Sequence, residues 1–231
     1  FILIMKMVFR VLCFALAMLV SFSAAAQKKE KPFAGIIKYS ISYGDGIDAQ
    51  TKAQLPTETN YYFKDGKVRS EQVSPMYTMS QIALENGSVI ILIDVMGQKL
   101  ATTQTKEDID RIKAENADVL PADPKVTTVD EFKTICGYKC QKAEVADEEG
   151  NVVEVFFTNE IPVGDSFKEM NPVKGISGVA MEYSISTQGM SMTFTAKEVK
   201  KGGVNSSMFV IDDDYTKLPF EDFVNMLGGG M

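Results

Sequence analysis

The chain has 231 residues, 45% of them apolar, and a formal net charge of −7 from 24 Lys and Arg against 31 Asp and Glu. An acidic surface of this kind repels nucleic-acid phosphates and offers no polybasic patch to anionic lipid, which excludes the nucleic-acid-binding classes. The chain has no His and no Trp, so the usual general base near neutral pH and the commonest zinc ligand are both missing, and a hydrolase would have to run on Asp, Glu, Lys or Tyr.

The first residues read as a secretory leader. Lys6 and Arg10 supply a positive region, residues 11–21 an apolar run too short to span a bilayer, and Ala24-Ala25-Ala26 a small-residue cleavage site. Cleavage is expected after Ala26, and residues 1–4, which precede Met5, are read as not native. Cys13 lies early in the apolar run rather than at its end, which argues against a lipid-modified cysteine. Residues 27–231 are then expected to form a single domain, with a periplasmic location.

Most of that domain reads as strands. In FAGIIKYSISY (33–43), Ile37, Tyr39, Ile41 and Tyr43 share one parity between Lys38, Ser40 and Ser42, the period-2 pattern of a strand with one dry face. Residues 60–73 hold two short runs around Asp65-Gly66, and 83–104 repeat the device at Asn86-Gly87 and Met96-Gly97. The unbroken VIILI at 89–93 predicts a strand covered on both faces. Thr105 and Asp108 have capping-box spacing ahead of Ile109 and Ile112, which predicts a short surface helix ending before Pro121.

The meander continues through 125–134, 137–147 and 151–161, with a tip at Glu148-Glu149-Gly150. A hairpin follows in which Met181, Tyr183 and Ile185 alternate up to Gln188-Gly189, and Met190, Met192, Phe194 and Ala196 alternate down. Nine or so antiparallel strands joined by tight turns imply one large curved sheet or a barrel. Pro219 then starts a last helix with Phe220, Phe223, Val224 and Leu227 at i, i+3, i+4 and i+7, stopped by Gly228. Its aromatic stripe is expected to lie over one face or the mouth of the sheet.

The leader ending in AAAQ, followed by FAGIIKYSI, YYFKDGKVR, SVIILIDVMGQK, GYKCQKA and a Met- and Gly-containing tail, resembles a domain-of-unknown-function family of periplasmic proteins of Gram-negative bacteria. That family is similar to the outer-membrane lipoprotein-carrier (LolA-like) superfamily. The resemblance implies a mainly β fold, an incomplete antiparallel barrel whose concave face is lidded by short helices and can hold acyl chains. The carriers' functional residues do not map by motif onto this chain, and a shared scaffold does not transfer a function.

Cys136 and Cys140 are the cysteines that remain beyond the leader. Three intervening residues in a strand-like setting do not make a C-x-x-C redox motif at a helix start, and two thiols without imidazole do not make a structural metal site. An oxidising compartment favours a disulfide, but four residues of straight strand span about 13 Å against the roughly 4.4–6.8 Å that a bridge needs between Cα atoms, so a bridge predicts a turn at Gly137-Tyr138. Disulfide and reduced strand thiols both stay open.

Met181, Met190 and Met192, with Met226 in the last helix, read either as core filler or as an adaptable apolar groove. The aromatics raise the same choice. The ligand-binding set expected from this pattern is Tyr39, Tyr61, Phe63, Met181, Tyr183, Met192, Phe194, Phe220 and Phe223. Asp212-Asp213-Asp214 and Asp147-Glu148-Glu149 lack calcium-loop spacing. The reading is a non-enzymatic periplasmic protein without catalytic residues, metal or cofactor, binding a lipid, acyl chain or apolar peptide in the concave face. The alternative is an envelope interaction module with a filled core and a protein partner.

Overall fold

A computed structural model describes residues 31–115, 123–147, 150–187 and 190–228. The leader, Pro121, the tips at Glu148-Glu149 and Gln188-Gly189, the side chains of Thr187 and Leu227 and the last three residues lie outside them. Pro32–Met231 forms a compact unit.

Twelve strands make one sheet in the order β12-β6-β5-β4-β3-β2-β1-β11-β10-β9-β8-β7, more than the nine expected. They are β1 (Gly35–Tyr43), β2 (Glu58–Lys64), β3 (Lys67–Val73), β4 (Tyr77–Ala83), β5 (Val89–Val95), β6 (Gln98–Gln104), β7 (Lys125–Ile135), β8 (Tyr138–Ala146), β9 (Val152–Thr158), β10 (Val179–Thr187), β11 (Met190–Lys201) and β12 (Thr216–Lys217). All pairings are antiparallel except β12 with β6. Among the described residues four α-helices interrupt it: α1 (Ala49–Lys52), α2 (Lys106–Glu115), α3 (Asp165–Met170) and α4 (Phe220–Gly228). This is the large open antiparallel sheet with short helices that the sequence predicts, an incomplete barrel whose edges β12 and β7 do not meet.

The hairpins form where glycine permits them. Asp65 (φ 48°) and Gly66 (φ 69°) turn β2 into β3, and Met96 (φ 53°) and Gly97 (φ 90°) turn β5 into β6. Positive φ at both central residues matches the twist of the flanking strands.

Curvature is visible in contacts that skip strands. The Tyr39 hydroxyl on β1 donates to Ala180 O on β10 at 2.9 Å, passing β11. The turn between β7 and β8 reaches β11, where the Cys136 thiol donates to Ala196 O at 3.4 Å. Inside this curl lies a filled core that includes Ile37, Tyr39, Tyr61, Phe63, Val155, Met181, Tyr183 and Phe194, closed by Phe167 of α3 and by Ile161, Val173 and Ile176 from the segments around it. The Tyr183 and Phe194 rings stack at 4.9 Å, and Phe167 sits 5.3 Å from Phe63 and 5.9 Å from Tyr61.

From β2 to β6 the register is unbroken, so the two faces are unambiguous. The inner face carries Tyr61, Phe63, Val68, Ala83, Val89 and Ile91; the outer face carries Tyr62, Arg69, Ile82, Ile90, Leu92 and Ala101. A strap from Val204 to Tyr215 covers the outer face, burying Phe209 against Ile82, Ile90, Leu92 and Ala101. Polar contacts pin the strap: Lys64 donates to Val204 O and Arg69 to Met208 O, each at 3.0 Å. Arg69 also pairs with Glu71 at 2.5 Å and donates to Ser80 Oγ at 3.0 Å.

Burial makes two of these features measurable. The Arg69 and Glu71 side chains are only 14% and 18% exposed, so Arg69→Met should leave Glu71 without its cation and lower unfolding stability by about 3 kcal/mol, most of it recovered in the Arg69→Met/Glu71→Met double variant; urea titration measures both. Burial pushes Tyr61 up to about 12 and holds Tyr39 and Tyr183 above the ordinary tyrosine value as well. Below about pH 10 these phenols are protonated folded and unfolded alike, and above it only the unfolded chain sheds their protons. Stability should therefore be constant on this account up to about pH 10 and fall from there towards about pH 12, read as a dropping urea midpoint.

Candidate functional site

The β4–β5 hairpin supplies the floor of a groove. Its tip is shaped by Asn86, whose Oδ1 accepts from Ser88 N at 3.0 Å, and by Gly87 at φ 81°, where an added Cβ would also meet the Lys106 stem at 3.2 Å. The left-handed backbone and that close approach both favour glycine. The inner-face positions then lie in two rows, Gln81 beside Ile91, and Ala83 beside Val89 and Gln104. In a fully closed barrel these residues would be core; here the filled core ends at Val68 of β3.

Two short helices make the walls. The capping box is present as predicted: Thr105 N donates to Asp108 Oδ2 and Asp108 N to Thr105 Oγ1, both at 3.1 Å. It starts α2 directly after β6 and turns the chain back over the inner face, so that Ile109 and Lys113, spaced i and i+4, face the groove with Lys106 and Asp110. Opposite, α3 presents Ser166, Glu169 and Met170. Phe167 anchors this helix in the core, Ser166 Oγ donates to Leu84 O at 3.4 Å, and the Asn171 amide after it donates to Ile176 O and Gly178 O, each at 3.0 Å.

The groove, open along one side, has a volume of about 630 Å³. Its apolar surface comes from Ala83, Leu84, Val89, Ile91, Ile109 and Met170, and its polar rim from Gln81, Glu85, Gln104, Lys106, Asp110, Lys113 and Glu169. Lys106 is paired with Asp110 at 3.0 Å. Across the mouth, Lys113 of α2 faces Glu169 of α3 at 3.6 Å, a clasp between the two walls. Among the described residues no three carboxylates or thiols converge as a metal site would require, and no helix is long and apolar enough to cross a membrane.

The residues expected from the sequence to bind ligand sit elsewhere. Tyr39, Tyr61, Phe63, Met181, Tyr183 and Phe194 are buried in the filled core, with Met192 packed at its margin. Their parity is as predicted, but the curl of β7–β11 packs them against one another and Phe167 closes over Tyr61 and Phe63. The last helix does not roof the groove. Because the strap runs over the outer face and β12 pairs alongside β6, α4 emerges at the sheet edge, where Phe223 alone of its described stripe is fully buried; Phe220 is half-buried and Val224 exposed. The sequence signals that do mark the groove are the Asn86-Gly87 turn and the capping box; the six-residue α3 has none.

The β7–β8 turn falls at Cys136 (φ 51°) and Gly137 (φ 84°), one residue earlier than a bridge would predict. Both cysteines are free thiols, Cys136 exposed and Cys140 buried. The first is directed at β11, while Cys140 Sγ contacts Tyr138 O at 3.5 Å. Burial raises both thiols above the ordinary value.

The family described as "Domain of unknown function (DUF4412)" matches residues 48–223. The chain belongs to that family, which meets the expectation of a domain-of-unknown-function family. No curated protein matches it. Among solved structures, it is similar to PNGF-II at 16% identity and a TM-score of 0.47, covering 84% of this chain but only 32% of that one. It is similar to the Mycobacterium tuberculosis lipoprotein LppX at 10% identity and a TM-score of 0.33, covering 74% and 89% of the two chains. For LprF from Mycobacterium bovis the figures are 8%, 0.32, 74% and 88%.

The cysteine geometry gives a direct check. A maleimide applied to the native protein at mildly alkaline pH should modify Cys136 and leave Cys140 unmodified until denaturant is added, as read by peptide mapping; equal labelling of both before denaturation would contradict the buried placement of Cys140.

Proposed function

We propose that this DUF4412 chain is a non-enzymatic envelope protein that binds a hydrophobic ligand, with a lipid acyl chain as the best fit, in the groove between α2 and α3. The groove itself carries the reading. Its volume of about 630 Å³ lies within the range of about 300–1,000 Å³ usual for small-ligand sites, and an apolar floor with a few polar groups at the rim is their usual composition. Ile91 and Val89 are half-buried on the inner face while their neighbours Ile90 and Leu92 are fully covered on the outer one. The continuous apolar run of β5 is thus satisfied by protein on one side and left for a ligand on the other.

Gln81 and Gln104 sit on either side of the apolar floor, and Lys113 faces the mouth. These groups would orient a polar end while the floor takes the chain. The leader read in residues 1–26 supports delivery across the inner membrane to the periplasm, where acyl chains must be shielded from water in transit.

The test is binding by chain length. Each buried methylene contributes about 0.8 kcal/mol, so affinity for a series of fatty acids should rise about fourfold per CH₂ until the groove is full. Ile91→Trp, which fills the floor, should abolish saturable binding of a fluorescent fatty acid, and mass spectrometry of protein purified without detergent should find a bound amphiphile. No ligand in the preparation together with no chain-length dependence would defeat the reading, as would binding unchanged in Ile91→Trp.

A further inference from the structure

At the end of β4 opposite the Asn86-Gly87 hairpin, two other hairpin tips lie side by side. One joins β3 to β4 through residues 73–77 and the other joins β5 to β6 through 95–98. Both project apolar side chains: Val73 is 53% exposed, Met76 46%, Val95 43% and Met96 86%. None of these nine residues is charged, in a chain that is 24% charged, where about two would be expected. Met96 is more unusual still, because it holds φ 53° at a turn position that asparagine, aspartate or glycine normally fills.

The backbone of the tips is closed upon itself. Ser74 N donates to Tyr77 O at 2.8 Å, Met76 N and Tyr77 N donate to Ser74 Oγ at 3.2 and 3.0 Å, and Gly97 N donates to Asp94 Oδ1 at 2.9 Å. Met96 N donates to Met76 O at 3.3 Å, tying one tip to the other. Pro75 has no N–H to satisfy. Behind the tips the first charges are already engaged, Asp94 with Gly97 N and Lys99 with Asp214 at 2.5 Å.

We propose that the paired tips 73–77 and 95–98 insert into the interfacial region of a lipid bilayer, with Met96 and Met76 as the leading side chains. A stable protein partner would need about 20–30 residues a side, far more than two protruding turns offer. A bilayer needs only a few apolar side chains on a protrusion whose N–H groups are satisfied internally, because unpaired backbone groups are what lipid penalises. The absence of charge at the tips also lets an acidic protein approach a bilayer at this end with less of the repulsion its charged surface meets. The contact is independent of the groove, which lies towards the other end of β4.

The chain has no Trp, so Met96→Trp creates a single local reporter in the full-length protein. Its emission should shift to the blue on adding phosphatidylcholine vesicles and be quenched by brominated lipid. Val210→Trp, at a site 51% exposed on the strap, should not respond. Adding Met76→Asp to Met96→Trp should abolish the shift while circular dichroism shows the same melting curve. Unshifted emission from the Met96→Trp variant would overturn the proposal even if the protein pellets with vesicles through its leader. So would a shift that appears only with anionic lipid and is removed by salt, since that marks adsorption by charge. Fatty-acid binding in the groove should be unaffected by Met76→Asp, so either idea can fail alone.

Discussion

A single sheet with no second sheet to pack against must find cover for two faces of alternating side chains, and the rest of the molecule follows from where that cover comes from. From β7 through β11 to β1 and β2 the sheet covers its inner face by curling, so strongly that the β7–β8 turn touches β11. From β3 to β6 the curl no longer suffices. There the strap that ends in β12 buries the outer face, while the inner face is covered only in part, at Val68, Ala83, Leu100 and Thr102. Burial of apolar surface drives both arrangements, and they place the more fully covered face on opposite sides of the same sheet.

The groove is the place where the cover changes sides. Val68 is the last inner-face residue of the filled core; buried Ala83 continues its surface, and Val89 and Ile91 beyond it are only half-covered along the groove. The strap cannot reach them because Lys64 and Arg69 pin it to the other face. Two short helices supply walls rather than a plug: α3 commits its one large aromatic to the core, and α2 has no buried residue at all. The space is therefore a product of the topology more than of any one side chain.

Much of this was legible in the sequence, and the rest was not for identifiable reasons. Asp65-Gly66, Asn86-Gly87 and Met96-Gly97 marked their turns because positive φ is a local requirement, and the parity of Tyr39, Tyr183 and Phe194 was right because strand periodicity is also local. What the aromatics pack against is a long-range matter. Phe167 comes from a segment without periodicity, and nothing near it announces that it will close over Tyr61 and Phe63. The strap was equally silent, since its cover for Ile90 and Leu92 depends on Phe209, more than 100 residues away in sequence. The last helix looked like a roof because its stripe is amphipathic, but amphipathicity says only that something is covered, not what.

The walls of the groove are unequal in a way that sets how it can open. At six residues α3 is far too short to persist as a helix alone, yet Phe167, only 2% exposed, ties it to the core, and burying such a side chain contributes about 1.5–3 kcal/mol. The longer α2 depends on its capping box and on ion pairs of Lys113 with Glu169 and of Arg111 with Glu221 at 3.6 and 3.8 Å, all of them substantially exposed. Pairs of this kind contribute about 0–1 kcal/mol and weaken with salt. The less costly displacement is thus that of α2, about its cap at Thr105, while α3 stays as the fixed wall. A chain entering the groove would part the Lys113–Glu169 clasp first, and an anionic end group would find the Lys113 ammonium freed by the same movement that admitted it.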